Sequence, residues 1–172
     1  FFIESSMDVL IYQTLGKQKY EEVSYQIHDG GRDWSAEGGI KLSSQALHSF
    51  YAEKGCSPRI VFIYPSSLLE DPRSLENPWG PDSLKEARER ISESICGDRD
   101  FDVLIVNSIG RYWINGAEWV FENTPGDISV QVFLDMRERA WNGVGGPREV
   151  EVIADISTGH NLYVVPVLDA LR

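Results

Sequence analysis

Three short segments of this 172-residue chain bring together glycine, small polar side chains and one basic residue each. They are Thr14-Leu-Gly-Lys17, Asn107-Ser-Ile-Gly-Arg111 and Asp155-Ile-Ser-Thr-Gly-His-Asn161. Each follows an apolar, β-branched run, so each is expected at the carboxyl end of a strand, where open α/β sheets bind ligands. Glycine allows close backbone approach, hydroxyls donate to phosphate oxygens, and a helix N-terminus offers unpaired N–H groups to an anion. The chemistry that fits is recognition of a compact, phosphate-bearing molecule. In the third segment Ser157, Thr158 and Gly159 are expected where a strand hands over to the last helix, with His160 and Asn161 in its first turn. An ordinary cap with a tight turn accounts for that segment alone. Three such ends in one small sheet are harder to reduce to capping.

Other chemistries lack their residues. No GxGxxG follows the first strand and no GxxxxGK[ST] loop occurs, so ordinary NAD and ATP sites are not expected. There is no GxSxG elbow, and no cysteine lies near a histidine in sequence. Cys56 and Cys96 are too few for a disulfide scaffold or a four-cysteine zinc site, and His28, His48 and His160 show no ligand spacing. No metal and no cofactor is therefore expected. Gly143-Val-Gly-Gly-Pro147 precedes a strand and reads as a plain loop.

The elements that must position these segments alternate. Asp8–Leu15 reads as a buried strand closed by Gly16, and Val23–Ile27 as a half-buried one; Asp29–Gly39, with four glycines, reads as a loop. Ser43 or Ser44 is expected to cap a helix with Ala46, Leu47, Phe50 and Tyr51 on one face and Gly55 as its stop. Arg59–Tyr64 is an apolar strand of the kind buried on both faces, followed by a proline-rich connection from Pro65 to Pro81. A second helix opens at Pro81 with Leu84, Ala87, Ile91 and Ile95 inward and ends at Gly97. Asp102–Val106 is another buried strand, and Asn115-Gly116 between Tyr112–Ile114 and Ala117–Phe121 is a strong hairpin signal. Val130–Trp141 reads as a helix stopped by Asn142-Gly143, Glu149–Ala154 as the last strand, and Ser157 onward as a last helix that Pro166 should kink. The expected fold is α/β: a Rossmann-like open, mostly parallel sheet with helices on both faces and a protruding β-hairpin, one domain over residues 7–172. Residues 1–6 read as vector or upstream sequence.

Charge limits the partners. Asp and Glu number 27 against 16 Lys and Arg, a formal net of −11. Non-specific binding to long DNA or RNA needs many cations on the surface, and so does adsorption to an anionic membrane. Neither is expected. No apolar run approaches a transmembrane length, and the reading is a soluble cytoplasmic protein with reduced thiols.

The same three segments carry a family likeness. Asp155-Ile-Ser-Thr-Gly-His-Asn-Leu-Tyr163 resembles the Asp-Leu-Thr-His-Gly-Ile-Asn-Tyr type of motif in the sensor domains of type III CRISPR accessory ribonucleases. Asn107–Tyr112 resembles that group's second glycine-containing segment, and Met7–Gly16 its opening strand. The resemblance is to a CARF domain, a Rossmann-like fold that dimerises and binds cyclic oligoadenylate across the dimer axis. It implies that Thr14, Gly16 and Lys17 line the site from the first strand and Ser108, Gly110 and Arg111 from the fourth. It further implies that Ser157, Thr158, Gly159, His160 and Asn161 cradle phosphate and ribose. Tyr112 and Trp113 are candidate adenine neighbours, although packing of the hairpin on its own sheet explains them as well. The family motif places His before Gly, whereas here Thr158 holds that place and His160 follows.

The ribonuclease domain of that family carries an Arg followed four to six residues later by His, and no such pair occurs here. The chain is thus expected to be a sensor domain of a longer protein or a stand-alone small CARF protein. Three functions follow. The first is a homodimeric sensor of cyclic oligoadenylate, in particular tetra-adenylate. The second is a metal-independent ring nuclease that aligns each ribose 2′-hydroxyl with its own 3′-phosphate, with Lys17 or His160 as the catalytic group stabilising charge or moving a proton. The third is an acidic interaction domain without a small ligand.

Overall fold

The computed structural model describes residues 7–36, 38–97, 99–141, 149–157 and 161–171. Along the chain the first elements are β1 (Asp8–Thr14), β2 (Tyr25–Asp29), β3 (Arg32–Ala36), α1 (Ser43–Glu53) and β4 (Ser57–Pro65). Next come α2 (Pro72–Glu76), α3 (Pro81–Ile91), β5 (Asp102–Val106) and the hairpin β6 (Gly110–Ile114) with β7 (Ala117–Phe121). The last are α4 (Pro125–Trp141), β8 (Val150–Asp155) and α5 (Asn161–Ala170).

Four strands form one parallel sheet in the order β5-β4-β1-β8, with the apolar β4 and β1 at its centre and the half-buried β8, which carries Glu151 and Asp155, at one edge. β1 is central and wholly buried from Val9 to Thr14. Its chain successors β4 and β5 lie on one side and β8 on the other, so strand order reverses between β1 and β8. That reversal opens a crevice beyond the carboxyl ends of the two strands, the usual place for a ligand in such sheets.

Alternation along the strands feeds two cores. Ile60, Phe62 and Tyr64 of β4 meet Ala87, Ile91 and Ile95 on the α3 face, joined by Ile114 of the hairpin. Val61 and Ile63 of the same strand meet Ile128, Val132 and Met136 of α4 and Tyr163 and Val167 of α5. Each fully buried side chain of this size stabilises the fold by about 1.5–3 kcal/mol. Asn115 and Gly116 both have positive φ (52° and 79°), as the tight turn between β6 and β7 requires.

Several local expectations are corrected. Asp29–Gly39 is not all loop: Arg32–Ala36 pairs antiparallel with Tyr25–Asp29. Gly30 and Gly31 (φ 55° and 87°) make the turn of this hairpin, so glycines that suggested a long loop close a strand pair instead. The strand expected from Val23 starts two residues later, and Val23 is exposed.

Neither Ser43 nor Ser44 caps α1. Leu42 occupies the cap position, and the Gln45 side chain reaches back to accept from Lys41 N (2.8 Å) and Leu42 N (3.1 Å). Leu84 is exposed rather than inward; Ser83 takes the buried place, its hydroxyl directed at the Asn77 and Ser74 carbonyls.

The Pro65–Pro81 connection contains a 3₁₀ turn and α2, which Asp71 caps by accepting from Arg73 N (2.9 Å). α3 continues into a π-helical turn over Ser92–Cys96 before Gly97. α4 begins at Pro125, five residues before the apolar periodicity, because Thr124 and Asp127 form a reciprocal cap. α5 begins at Asn161, so Ser157 lies in the turn after β8 and not in the helix, which continues through Pro166 to Ala170. The Asn142-Gly143 stop and the Gly143–Pro147 loop lie outside the described residues.

Candidate functional site

The switch-point crevice is lined from β1, β8 and the start of α1. At the end of β8 the Asp155 carboxylate accepts from Ser157 N at 3.0 Å, which folds the chain back into a tight turn. Its other oxygen accepts from the Ser43 hydroxyl at 2.5 Å. Ser43 and Ser157 place their hydroxyl oxygens 2.6 Å apart. Gln13, opposite Asp155 in the β1–β8 register, donates from Nε2 to Ser157 Oγ at 3.3 Å. Tyr25 joins from the first hairpin. Burial, and then the Asp155 charge, hold its phenol above the ordinary range, while its hydrogen bond with Ser43 opposes them.

Four residues from three segments thus form one polar node: Gln13 of β1, Ser43 of α1, and Asp155 and Ser157 at the end of β8. Of these only Ser157 was expected in the site. Gln13 stood out as the one amide in an apolar strand, which is the signal that could have found it. Ser43 was hidden by its position beside a helix start, where a serine is usually read as a cap. Gln45 does the capping, and the Ser43 hydroxyl is left to face β8.

The other expected residues divide. Thr14 is buried at the end of β1, and the next amide, Leu15 N, donates to Ile63 O at 2.9 Å. Gly16 is pinned by Tyr20, whose hydroxyl accepts from Gly16 N (3.0 Å) and donates to Gly16 O (3.1 Å). Lys17 follows on the exposed rim of a cleft of about 560 Å³ on the α3 side of this exit, together with Tyr20, Tyr64, Glu70 and Arg90. That volume falls in the range of about 300–1,000 Å³ common for small-molecule sites. Arg90 is held there by Glu70 (2.6 Å) and Glu86 (3.3 Å).

Ser108 is fully buried. Its hydroxyl accepts from Ser67 N (2.7 Å), and Ser108 N donates to Ser66 Oγ (2.9 Å), so it clasps the ends of β4 and β5 together. Beside it stands the buried Tyr163 of α5, its phenol pushed up to about 12 by burial, with Ser108 and Tyr112 as its polar neighbours. Gly110, with φ 105°, turns the chain into β6.

Arg111 lies on the outward face of the hairpin, 3.4 Å from Glu118 and on the same side as the exposed Trp113. Tyr112 points to the other side, stacks edge-to-face on Phe121 and donates to Ile109 O, which is packing of the hairpin on itself and against the α3-side core. Thr158, Gly159 and His160 lie outside the described residues, and Asn161 opens α5.

No helix among the described residues is long and apolar enough to cross a membrane. Cys56 and Cys96 are free thiols, and burial pushes the Cys96 thiol up to about 11.

No curated protein matches the chain. A family model described as CRISPR system endoribonuclease Csx1, CARF domain, matches residues 10–172, which takes in every strand end described above. That match, over a parallel α/β sheet with its strand order reversing at the crevice, means that the chain belongs to the CARF domain family of the Csx1 endoribonucleases.

Proposed function

We propose that this domain is a sensor of cyclic oligoadenylate in type III CRISPR antiviral signalling, holding the ring, in particular the tetra-adenylate, across the axis of a homodimer in the cytoplasm. The observation that carries the reading is the node of Gln13, Ser43, Asp155 and Ser157 at the β1–β8 switch point, within the family match. It gathers three neutral polar side chains around one carboxylate at the strand-order reversal, where ligands bind in open α/β sheets. Beside it the β1 exit presents Gly16 and Lys17 to a cleft of nucleotide-compatible volume. Gly110, Arg111, Thr158, Gly159, His160 and Asn161 extend the proposed ligand surface, with the buried Thr14 and Ser108 supporting it from behind. A local site of this kind is compatible with the net charge of −11, since backbone N–H groups and few cations suffice for a compact anion.

The dimer draws support from α4 and α5. Val130, Phe133, Leu134 and Trp141 of α4 are exposed, as are Val165 and Leu168 of α5. On α4 Val130, Leu134 and Trp141 recur at helical spacing on the side opposite Ile128, Val132 and Met136, with Phe133 on the flank of that stripe. An apolar stripe turned to solvent marks an interaction surface. α5 follows directly from the β8 exit, so pairing through this face would bring two crevices towards one axis.

Equilibrium binding of labelled cyclic tetra-adenylate tests the reading, with His160→Ala and Lys17→Ala expected to weaken it. Chromatography of the ligand after prolonged incubation with excess protein separates a sensor, which returns it intact, from a ring nuclease using Lys17 or His160. Absence of binding by the wild-type protein would overturn both.

A further inference from the structure

The hydrogen bonds of the polar node have only one consistent direction, and that direction says what Ser157 can recognise. An ionised carboxylate only accepts. The single Ser43 proton therefore goes to Asp155 Oδ2, 2.5 Å away. Ser43 has no second proton, so its 2.6 Å contact with Ser157 Oγ is a hydrogen bond that Ser157 donates. Gln13 Nε2 donates into the same Ser157 oxygen at 3.3 Å.

Ser157 has thus spent its only proton inward and filled one of two lone pairs. What its exposed side chain offers a ligand is an acceptor. A phosphate oxygen, itself an acceptor, gains nothing there and meets the Asp155 charge one residue pair behind. The composition of Asp155–Asn161 suggested a serine that donates a hydrogen bond to phosphate; the bond directions point the other way.

We infer that Ser157 is a specificity-determining residue that accepts from a neutral O–H or N–H donor on the ligand, and that Ser43 is the positioning residue that makes it so. The inference rests on the ring-binding reading. On a cyclic oligoadenylate two groups have this chemistry, the ribose 2′-hydroxyl and the adenine 6-amine. Ser43 comes from a segment outside all three ligand-like motifs.

The probes are cyclic tetra-adenylate, its 2′-deoxy analogue and cyclic tetra-inosinate, which lacks the 6-amine, each titrated into the wild-type, Ser157→Ala, Ser157→Thr and Ser43→Ala chains. Covering the Ser157 acceptor with a ligand that has no donor for it is expected to weaken one analogue by about tenfold on the wild type. The analogue that loses affinity identifies the donor. Ser157→Ala should bind that analogue and the parent ring within about twofold of each other, Ser157→Thr should restore the discrimination, and Ser43→Ala should narrow it by freeing the Ser157 proton. Equal wild-type affinity for all three rings would overturn the inference while leaving ring binding standing. Discrimination that survives Ser157→Ala would overturn it as well. Failure of the wild type to bind cyclic tetra-adenylate would remove the ring-binding reading and this inference with it.

Discussion

The Ser43 hydroxyl lies 2.5 Å from the Asp155 carboxylate, across 112 residues of sequence, and ties the first turn of α1 to the last residue of β8. This bond sits at the rim of the crevice, and its loss should be felt in stability as well as in binding. Ser43→Ala leaves one Asp155 oxygen and the Ser157 proton without their partner. A cost of about 1 kcal/mol is expected for a half-exposed bond of this kind. Because Gln45 caps α1, helix content should not change, and far-UV circular dichroism beside urea unfolding checks both halves. A loss of helix signal would mean that Ser43 acts as a cap after all.

A second long-range tie runs through the opposite core. Tyr12 of β1 donates to Asp135 at 2.7 Å; Arg139 donates to Asp135 (2.8 Å) and to Asp102 (2.6 Å), and Arg88 approaches Asp102 from α3 at 3.6 Å. Arg139 is the hinge of this chain, with two mostly buried carboxylates depending on it. Arg139→Ala should cost about 3 kcal/mol, the low end for breaking a buried pair, since Asp102 keeps Arg88. Chemical denaturation measures it, and a loss under about 1 kcal/mol would show that these charges are solvated like surface pairs.

Alkali should unfold the domain earlier than its acids and lysines alone would dictate. Tyr12, Tyr20, Tyr25, Tyr51, Tyr64 and Tyr163 are all held above the ordinary phenol range, burial being the first cause in each; Tyr51 and Tyr64 are pushed up to about 12. A phenol whose folded pKa is raised favours the native state fully below its unfolded value, about 10. The contribution is lost as pH climbs from there through the folded values. Urea midpoints should be level from pH 8 to about 9.5 and then fall steeply towards pH 11. A midpoint unchanged at pH 11 would contradict this.

The α4 stripe gives the dimer its own test. Phe133 is half exposed, on the flank of the α4 stripe. Phe133→Glu should leave the melting temperature of the ligand-free protein within a few degrees and shift light scattering from dimer to monomer at tens of micromolar. A wild type that is monomeric at that concentration would remove the homodimer.

Strand runs and turns were the legible part of the sequence. Asp102–Val106 and the Asn115-Gly116 hairpin are found where alternation and turn chemistry put them, because both are decided within a few residues. The helix starts were less legible. Gln45 and Asp127 cap from inside their helices, so apolar periodicity begins after the true start. Gly30-Gly31 was ambiguous because two glycines serve a loop or a hairpin equally well. The site was legible as three strand ends but not as a network. Ser43 reaches Asp155 only through the docking of α1 beside β8, a tertiary fact with no local signature.

The most direct measurement is the thermal melt of the wild-type chain with cyclic oligoadenylates of different ring size and linear oligoadenylates as controls. A ligand that binds only the folded state raises the midpoint, by about 2.7 kcal/mol of added stability at a hundredfold excess over its dissociation constant. The account predicts a rise with the cyclic tetra-adenylate and none with the linear tetramer. No rise with any ring at saturating concentration would contradict it.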